Sequence, residues 1–292
     1  MFCGNSPRLF NYYIYKMDID ANTKFIARLH TQPNARGLNI YNPYFEETGT
    51  NALYVLFYGP DPKKLMNGIR DLNFVGGNTA GFETDHGFAK LIDNFDSSSK
   101  FVGHVGYLKN IDGKFVAFYQ GGEGLLAAIS AKYDLEGKEI VIVGAGNVAG
   151  SIIFTMQNKG IKPKKVTLIN RTTDKGMVLK KRLTIIDEVK PLSGLNDCKG
   201  DILINATPIG VTQPDELYTK DIVNKFETVT DVTFEKEDTN LIDLARKLNK
   251  TYITGWDFFT YQGKVMLENL LDTKIDAKVL KKYVEKGLKS VI

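Results

Sequence analysis

The stretch Glu139-Ile-Val-Ile-Val-Gly-Ala-Gly-Asn-Val-Ala-Gly-Ser-Ile-Ile-Phe-Thr-Met156 decides the fold. Its β-branched start predicts a buried strand, and its end predicts a helix. Between them the glycines follow the pattern G-x-G-x-x-A. Gly144 permits a tight turn, Gly146 lets the backbone approach a pyrophosphate, and Ala149 lets the helix pack closely on the strand. An ordinary glycine-rich turn is the alternative interpretation, but strand, turn and helix together predict a dinucleotide site that contains Gly144, Gly146, Asn147, Val148 and Ala149.

The residues after the next predicted strand indicate which dinucleotide is bound. That strand is Val166-Thr-Leu-Ile169, and Asn170-Arg171-Thr172 follow it with Lys175 close behind. A fold that selects NAD usually places Asp or Glu here to bind the ribose hydroxyls. A guanidinium instead suits a 2′-phosphate, which it can hold through two hydrogen bonds. We therefore predict NADP(H) as the cofactor, with a merely solvated Arg171 as the alternative.

Composition limits the class of protein. The chain has 292 residues, 43% of them hydrophobic and 25% charged, which is typical of a globular protein with two lobes around a cleft. Its two cysteines and three scattered histidines predict no metal site. The net charge of +4 is spread along the chain, which favours a small anionic ligand over nucleic acid. No apolar run or leader-like start is visible, so we expect no membrane partner and a cytoplasmic location.

Strand-like and helix-like segments alternate along the chain. Ala52–Phe57 reads as a strand, and Asp61 and Pro62 then suit the cap and first position of a helix. Further strand candidates are Val166–Ile169, Ile202–Ile204 and Thr228–Val232. Repeated units of this kind predict an α/β fold with mostly parallel sheets. We expect two lobes: a substrate-binding domain of residues 1–121 plus about 258–292, whose C-terminal helices pack back onto it, and a Rossmann-type NADP-binding domain of residues 122–257.

Several segments match one known family in order and spacing. They are Tyr41-Asn42-Pro-Tyr-Phe45, Gly76-Gly-Asn78, Asn205-Ala-Thr207, Asp231-Val-Thr-Phe234 and Gly255-Trp-Asp-Phe-Phe-Thr-Tyr-Gln262. With the glycine turn and Asn170-Arg-Thr172, they resemble the shikimate/quinate dehydrogenase family from about Thr23 to Gly263.

The resemblance implies a substrate lobe beside a Rossmann lobe, and reversible hydride transfer between NADPH and a ring carbonyl. It implies that Asn170, Arg171 and Thr172 hold the adenosine phosphate. Other implied cofactor contacts are Asn205, Ala206, Thr207, Gly255 and Phe258, and Phe258 replaces the family's usual Met. On the substrate side the implied residues are Gln262, Asn78 and Tyr41.

The catalytic positions of the family depart from its pattern. Thr84 stands at the position of the catalytic lysine, and Gly121 at that of the aspartate. Ala80, Gly106, Ala35 and Gly37 replace further polar residues. Each loss leaves a substrate hydroxyl without a partner, so we predict a substrate other than shikimate. The pocket should be roomier or filled by something else, for which the N-terminal aromatic cluster Phe10, Tyr12, Tyr13 and Tyr15 is one candidate.

Carbonyl reduction also needs a proton donor near the oxygen. Asp85 and His86, next to the vacant lysine position, are our predicted catalytic residues. If residues 85–95 form a helix, His86 lies at its start, where the dipole disfavours the imidazolium. His104, Tyr41 and Tyr119 are further candidates. Each of these five could equally be a structural or exposed polar residue.

Three functions therefore stay open. The first is an NADPH-dependent oxidoreductase that acts on a small carbonyl or hydroxy-acid substrate. The second is a catalytically inactive NADP-binding sensor, and the third is a shikimate or quinate dehydrogenase with displaced catalytic groups. A homodimer is left open as the assembly.

Overall fold

The computed structural model describes residues 18–31, 36–79, 88–210, 216–234 and 239–289. Two six-stranded sheets divide this chain between them. The first has the order β2-β1-β3-β5-β6-β4. Its strands are β1 Lys24–His30, β2 Ala52–Tyr58, β3 Gly76–Asn78, β4 Asn94–Phe95, β5 Tyr107–Ile111 and β6 Lys114–Phe118.

The second sheet is parallel throughout, with the order β12-β11-β10-β7-β8-β9. This arrangement is that of a Rossmann-type sheet, in which ligands bind at the carboxyl ends of the strands. The strands predicted from the sequence correspond to β7, β8, β10 and β11. The six strands are β7 Glu139–Val143, β8 Lys165–Asn170, β9 Glu188–Pro191, β10 Ile202–Asn205, β11 Thr228–Asp231 and β12 Thr251–Ile253.

The first sheet is mixed, because β5 runs antiparallel to both β3 and β6. Asp112 and Gly113 form the turn between β5 and β6, and both have positive φ angles, of 51° and 79°. A two-residue turn with two positive φ angles matches the twist of a hairpin, and Asp-Gly is a favoured pair there. This hairpin was not among the elements predicted from the sequence.

Ten α-helices connect the strands in the described ranges. Helix α2 begins as predicted, with Pro62 as its first residue. Asp61 caps this helix, because its carboxylate accepts hydrogen bonds from the amides of Lys63 and Lys64. Within these ranges every helix is too short or too polar to traverse a lipid bilayer. The helices are α1 Leu38–Thr48, α2 Pro62–Asp71, α3 Ser97–Val102, α4 Gly121–Ser130, α5 Asn147–Asn158, α6 Thr173–Arg182, α7 Lys220–Val223, α8 Asn240–Lys247, α9 Gly255–Leu271 and α10 Ala277–Lys289.

The helix considered for residues 85–95 is a wrong prediction over its described part. Phe88–Leu91 is a short 3₁₀ helix, and β4 follows it at Asn94. Phe88 and Ile92 are buried with the first sheet, so tertiary packing determines the conformation here. The described residues after His86 therefore provide no α-helix whose dipole could act on it. Four residues named in the predictions, Ala80, Thr84, Asp85 and His86, lie outside the described residues.

Helix α9 joins the two halves of the fold. Phe258, near its start, is buried with residues of α4, α5 and the second sheet. Met266, Leu267 and Leu270, further along, are buried with α1 and the first sheet, where α10 also packs. The C-terminal helices thus lie against the first sheet. The proposed domain limits at residues 121 and 258 stay predictions, since α4 and α9 pack on each other between the sheets.

Asp257 fixes the start of α9. Its carboxylate accepts a hydrogen bond from the Thr254 amide while the Thr254 hydroxyl accepts one from the Asp257 amide, which forms a capping box. The same carboxylate pairs with Lys132 at 3.0 Å and with Lys281 at 2.6 Å. Burial alone would raise the pKa of Asp257, but the Lys281 hydrogen bond and the two lysine charges outweigh it and hold that pKa below its ordinary value.

Asp257→Asn should therefore destabilise the protein by about 1–2 kcal/mol at pH 7. A carboxyl group whose pKa is lowered in the folded state contributes stability above its unfolded pKa of 3.8, and loses it as the pH falls through the folded value. The difference between wild type and variant should hence shrink below about pH 4. Urea unfolding of both proteins at pH 7, 4 and 3 measures this. A difference that stays constant with pH would show that the charge of Asp257 does not hold α9.

Candidate functional site

A cavity of about 340 Å³ lies between the two sheets. Its wall combines residues of β1, α1, β3 and α9 from one side with Asn147, the first residue of α5, from the other. The three residues predicted to bind substrate, Tyr41, Asn78 and Gln262, all line it. The structure thus brings them together with the glycine turn, in the cleft that the sequence predicted between two lobes. We call this space the cleft cavity.

Larger neighbours fill the space that small residues leave around the cleft cavity. This agrees with the expectation that something else fills the space left by the small residues. The N-terminal aromatic cluster, which was one candidate for that role, lies outside the described residues. An added β-carbon would lie 2.6 Å from Tyr54 Cε1 at Gly37, 1.9 Å from Gln120 Oε1 at Gly106, and 2.6 Å from Tyr119 Cε1 at Gly121.

The cleft cavity carries a positive charge. Arg28, in the middle of β1, lines it half-buried and donates a hydrogen bond from Nη1 to Asn78 Oδ1. No carboxylate among the described residues forms an ion pair with this guanidinium, and Arg36 lines the same cavity. A half-buried cation of this kind is stabilised by an anionic ligand. The sequence analysis missed Arg28, although a charge between Ala27 and Leu29 in an apolar strand was a signal for it.

Tyrosine rings form another part of the wall. The rings of Tyr41 and Tyr54 lie 4.8 Å apart. Burial raises the pKa of Tyr41 to about 12 against the opposing charge of Arg28, and it raises that of Tyr54 as well. Both phenols are therefore hydrogen-bond donors at neutral pH. Tyr119 and His104, two of the further acid–base candidates, also line the cavity.

A second cavity, of about 200 Å³, lies at the carboxyl ends of β7 and β8 and is lined by Gly144, Asn170, Arg171 and Thr207. Gly144 has a φ of 111°, and an added β-carbon would lie 2.7 Å from the Ala206 carbonyl oxygen. At Gly146 an added β-carbon would meet nothing within 4 Å, so its face is open. No side chain caps the amides at the start of α5. The turn therefore fits a pyrophosphate, as the glycine pattern predicts.

Arg171 is exposed at the rim of this nucleotide cavity, and it forms no ion pair with any residue in the described part of the chain. Asn170 Nδ2 donates to the Thr172 carbonyl oxygen at 2.7 Å, which shapes the turn into α6. Lys175 is exposed one turn along α6 and does not line the cavity. The roles of these residues toward a cofactor stay predictions.

The loop after β10 is held from behind by a buried network. Asn205 Nδ2 donates to Asp231 Oδ1 at 3.1 Å, while its Oδ1 accepts from the amide and hydroxyl of Thr207. Asp231 Oδ2 accepts from Thr239 Oγ1 at 2.7 Å. Burial raises the pKa of Asp231 although these hydrogen bonds oppose the rise. Asn205 thus shapes the wall that Thr207 presents to the nucleotide cavity, and Ala206 is tied to Val143 by its amide.

Two residues predicted to contact the cofactor, Gly255 and Phe258, do not line the nucleotide cavity. Phe258 is only 3% exposed and belongs to the core around α5, whereas its neighbour Phe259 lines the cleft cavity. Gly255 packs against the Thr233 carbonyl. The helical spacing of three and four residues along α9 was the signal that could have favoured Phe259, because Phe259, Gln262 and Met266 share one helical face.

Across the described ranges no three His, Cys, Asp or Glu side chains are grouped as a metal site.

Comparison with known proteins agrees with this architecture. The family model described as "Shikimate / quinate 5-dehydrogenase" matches residues 126–246. The shikimate dehydrogenase (NADP(+)) of Methanopyrus kandleri is 27% identical over 94% of this chain and 99% of its own. The chain is thus similar to shikimate/quinate dehydrogenases over nearly its whole length.

Solved structures of this family show the same fold. A shikimate dehydrogenase in complex with NADP+ is 26% identical, with a TM-score of 0.75 over 92% of this chain and 97% of that one. A shikimate 5-dehydrogenase-like protein has a TM-score of 0.78 over 92% of this chain and 99% of its own, at 18% identity. The fold of these structures therefore extends over nearly the whole chain, beyond the segment that the family model matches.

Proposed function

We propose that this protein is an NADP-dependent oxidoreductase of the shikimate/quinate dehydrogenase family that acts on a CH–OH group, and that its substrate is a small hydroxy acid other than shikimate. The observation that carries this proposal is the pairing of two cavities. The nucleotide cavity keeps the glycine turn and Arg171, whereas the cleft cavity beside it has a different polar lining from the family pattern.

The family relatives support the cofactor, since they are named as NADP(+)-dependent enzymes and a family structure is in complex with NADP+. In this chain the open face of Gly146 and the uncapped amides of α5 would receive the pyrophosphate. Arg171 would hold the 2′-phosphate with Asn170 beside it, because no carboxylate stands after β8 to bind ribose hydroxyls. When bound, the nicotinamide supplies or accepts the hydride.

The lining of the cleft cavity supports the substrate class. Arg28 would pair with the carboxylate of an acid, and a guanidinium binds a planar carboxylate through two hydrogen bonds. Asn78, Tyr41 and Gln262 would bind its hydroxyl groups. Positions 37 and 106 are glycines, and the Tyr54 phenol and the Gln120 amide occupy the space beside them. The cavity therefore presents a different set of polar groups from the family pattern, which favours a substrate other than shikimate.

An inactive NADP-binding sensor is the second candidate. Thr84 and Gly121 stand where the family pattern has its lysine and aspartate, and this loss favours it. The two candidates share the nucleotide cavity and differ only in turnover, so binding and activity need separate measurement.

Calorimetric titration with NADPH and NADH tests the cofactor site. We expect NADPH to bind the wild type much more tightly than NADH, and Arg171→Ala to weaken NADPH about 10- to 30-fold while leaving NADH unchanged. Lys162→Ala is the control, since Lys162 precedes β8 and so lies at the opposite edge of the sheet. Equal binding of the two nucleotides by wild type would contradict the assignment of Arg171.

Turnover is then measured with NADP+ and a panel of shikimate, quinate, malate, lactate and mandelate. Reduction of NADP+ with malate, lactate or mandelate supports the proposed oxidoreductase, whereas turnover of quinate favours the dehydrogenase with displaced catalytic groups. Tight NADPH binding without turnover on any acid supports the sensor. Preferential turnover of shikimate would contradict the proposed substrate and favour a dehydrogenase with displaced catalytic groups.

A further inference from the structure

The edge of the Tyr119 ring occupies the space where a side chain at residue 121 would begin, with Cε1 at 2.6 Å from an added β-carbon. An added β-carbon on Gly121 would lie 3.0 Å from Tyr119 Oη. Position 121 is the one at which the family pattern has an aspartate. The phenol thus brings a polar, proton-bearing atom to the space in which an acidic side chain at position 121 would start, and it does so from two residues earlier in the chain.

The Tyr119 side chain lies between the cleft cavity and another, smaller cavity, and lines both. Tyr119 follows the end of β6 and lines the cleft cavity together with Gln262 and Asn147. Its backbone amide donates to Ser98 Oγ at 3.1 Å, and Ser98 in turn donates to Asp96, the cap of α3. The His104 ring lies edge-on at 5.9 Å from the Tyr119 ring. The hydrogen bond to Ser98 holds the backbone at Tyr119, and its ring shares the wall of the cleft cavity with Asn147 of the glycine turn and with Gln262.

Burial raises the pKa of Tyr119 to about 12. The phenol therefore carries its proton throughout the neutral range and is available there as a proton donor. The charged and titratable groups that share the cavities on either side of Tyr119 are Arg28, Arg36, Tyr41, Tyr54, His104, Asp96, Tyr107, Glu123 and Lys159.

We propose that the Tyr119 hydroxyl exchanges the proton with the substrate oxygen. This inference rests on the proposed function. In the direction of reduction, the carbonyl carbon receives a hydride from the reduced nicotinamide, and the π electron pair of the carbonyl moves to its oxygen. That oxygen takes the proton from Tyr119 Oη as the phenolic O–H bond breaks. The phenolate then takes a proton from water, and oxidation of the alcohol follows the same steps in reverse.

Tyr119→Phe tests this, because phenylalanine keeps the ring that fills the space beside Gly121 and removes only the hydroxyl. With NADP+ and the best acid of the panel, we expect kcat to fall at least about 100-fold. Calorimetry should give NADPH and acid dissociation constants within about threefold of wild type, since a proton donor contributes little to binding. Tyr58→Phe is the control: Tyr58 is 57% exposed at the end of β2.

The pH profile separates proton exchange from a structural role. Wild-type oxidation should speed up about tenfold per pH unit at alkaline pH, because the phenolate is the base and is scarce below its pKa. Tyr119→Phe should lose this slope, whereas His104→Gln should keep it.

Each outcome decides the inference. Retention of more than a fifth of kcat in Tyr119→Phe, with wild-type turnover intact, would overturn the role of Tyr119 and leave the proposed function standing. Loss of the slope in His104→Gln but not in Tyr119→Phe would assign the proton to His104. Tight NADPH binding with no wild-type turnover on any acid would overturn this inference together with the proposed catalytic function.

Discussion

Gly255→Ala is expected to lower the free energy of unfolding by at least about 3 kcal/mol. Gly255 is the first residue of α9, and an added β-carbon would lie 1.7 Å from the Thr233 carbonyl oxygen and 2.8 Å from the Phe234 amide nitrogen. Both obstacles are backbone atoms after β11, so no side-chain rotation relieves the overlap. Either α9 or this segment must move, and α9 contributes to both cores while Phe234 lines the cleft cavity.

Gly68→Ala is the matched control for this effect. Gly68 lies inside α2, and an added β-carbon there would meet nothing within 4 Å. Alanine is favoured over glycine in a helix, so this variant should gain about 0.5–1 kcal/mol. Urea unfolding followed by circular dichroism measures both changes. A loss below about 1 kcal/mol in Gly255→Ala would show that the start of α9 can shift freely.

The nucleotide cavity could be predicted from the sequence because its parts are local. Residues 139–156 contain the strand, the turn and the helix in one stretch, and Arg171 follows the next strand directly. The spacing of hydrophobic residues and the glycines of the turn determine such a unit locally, so distant residues contribute little to it. The start of α2 is similar, since Asp61 and Pro62 act on amides within three residues of them.

The cleft cavity could be predicted only in part. Tyr41, Asn78 and Gln262 were found through a family resemblance, and they come together across more than 200 residues of sequence. Arg28 was missed, because a lone charge in an apolar strand does not reveal what faces it. Spacing alone also does not show that a glycine in one segment leaves room for a tyrosine in another.

Tyrosine side chains occupy the space beside two glycines near the cleft. Gly37 faces Tyr54, and Gly121 faces Tyr119. Protein interiors are close-packed, so a small residue at one position is matched by a large neighbour. The space beside these glycines therefore contains phenol groups.

Arg28→Gln is expected to have the largest effect on substrate binding. If Arg28 pairs with the substrate carboxylate, the variant loses a charge-assisted pair, and KM for the acid should rise about 30- to 100-fold. NADPH affinity should stay unchanged, because Arg28 lines the cleft cavity and not the nucleotide cavity. Steady-state kinetics with the best acid of the panel, and calorimetry with NADPH, measure the two quantities.

Lys24→Gln is the matched control, since Lys24 lies on the same strand and donates to the Leu271 carbonyl rather than facing the cavity. The methyl ester of the acid provides a second comparison. Wild type should prefer the acid to the ester, and Arg28→Gln should bind the two about equally, because the ester has lost the charge that the guanidinium recognises. Equal weakening of acid and ester in Arg28→Gln would instead mean that Arg28 acts by holding Asn78 in place through their hydrogen bond.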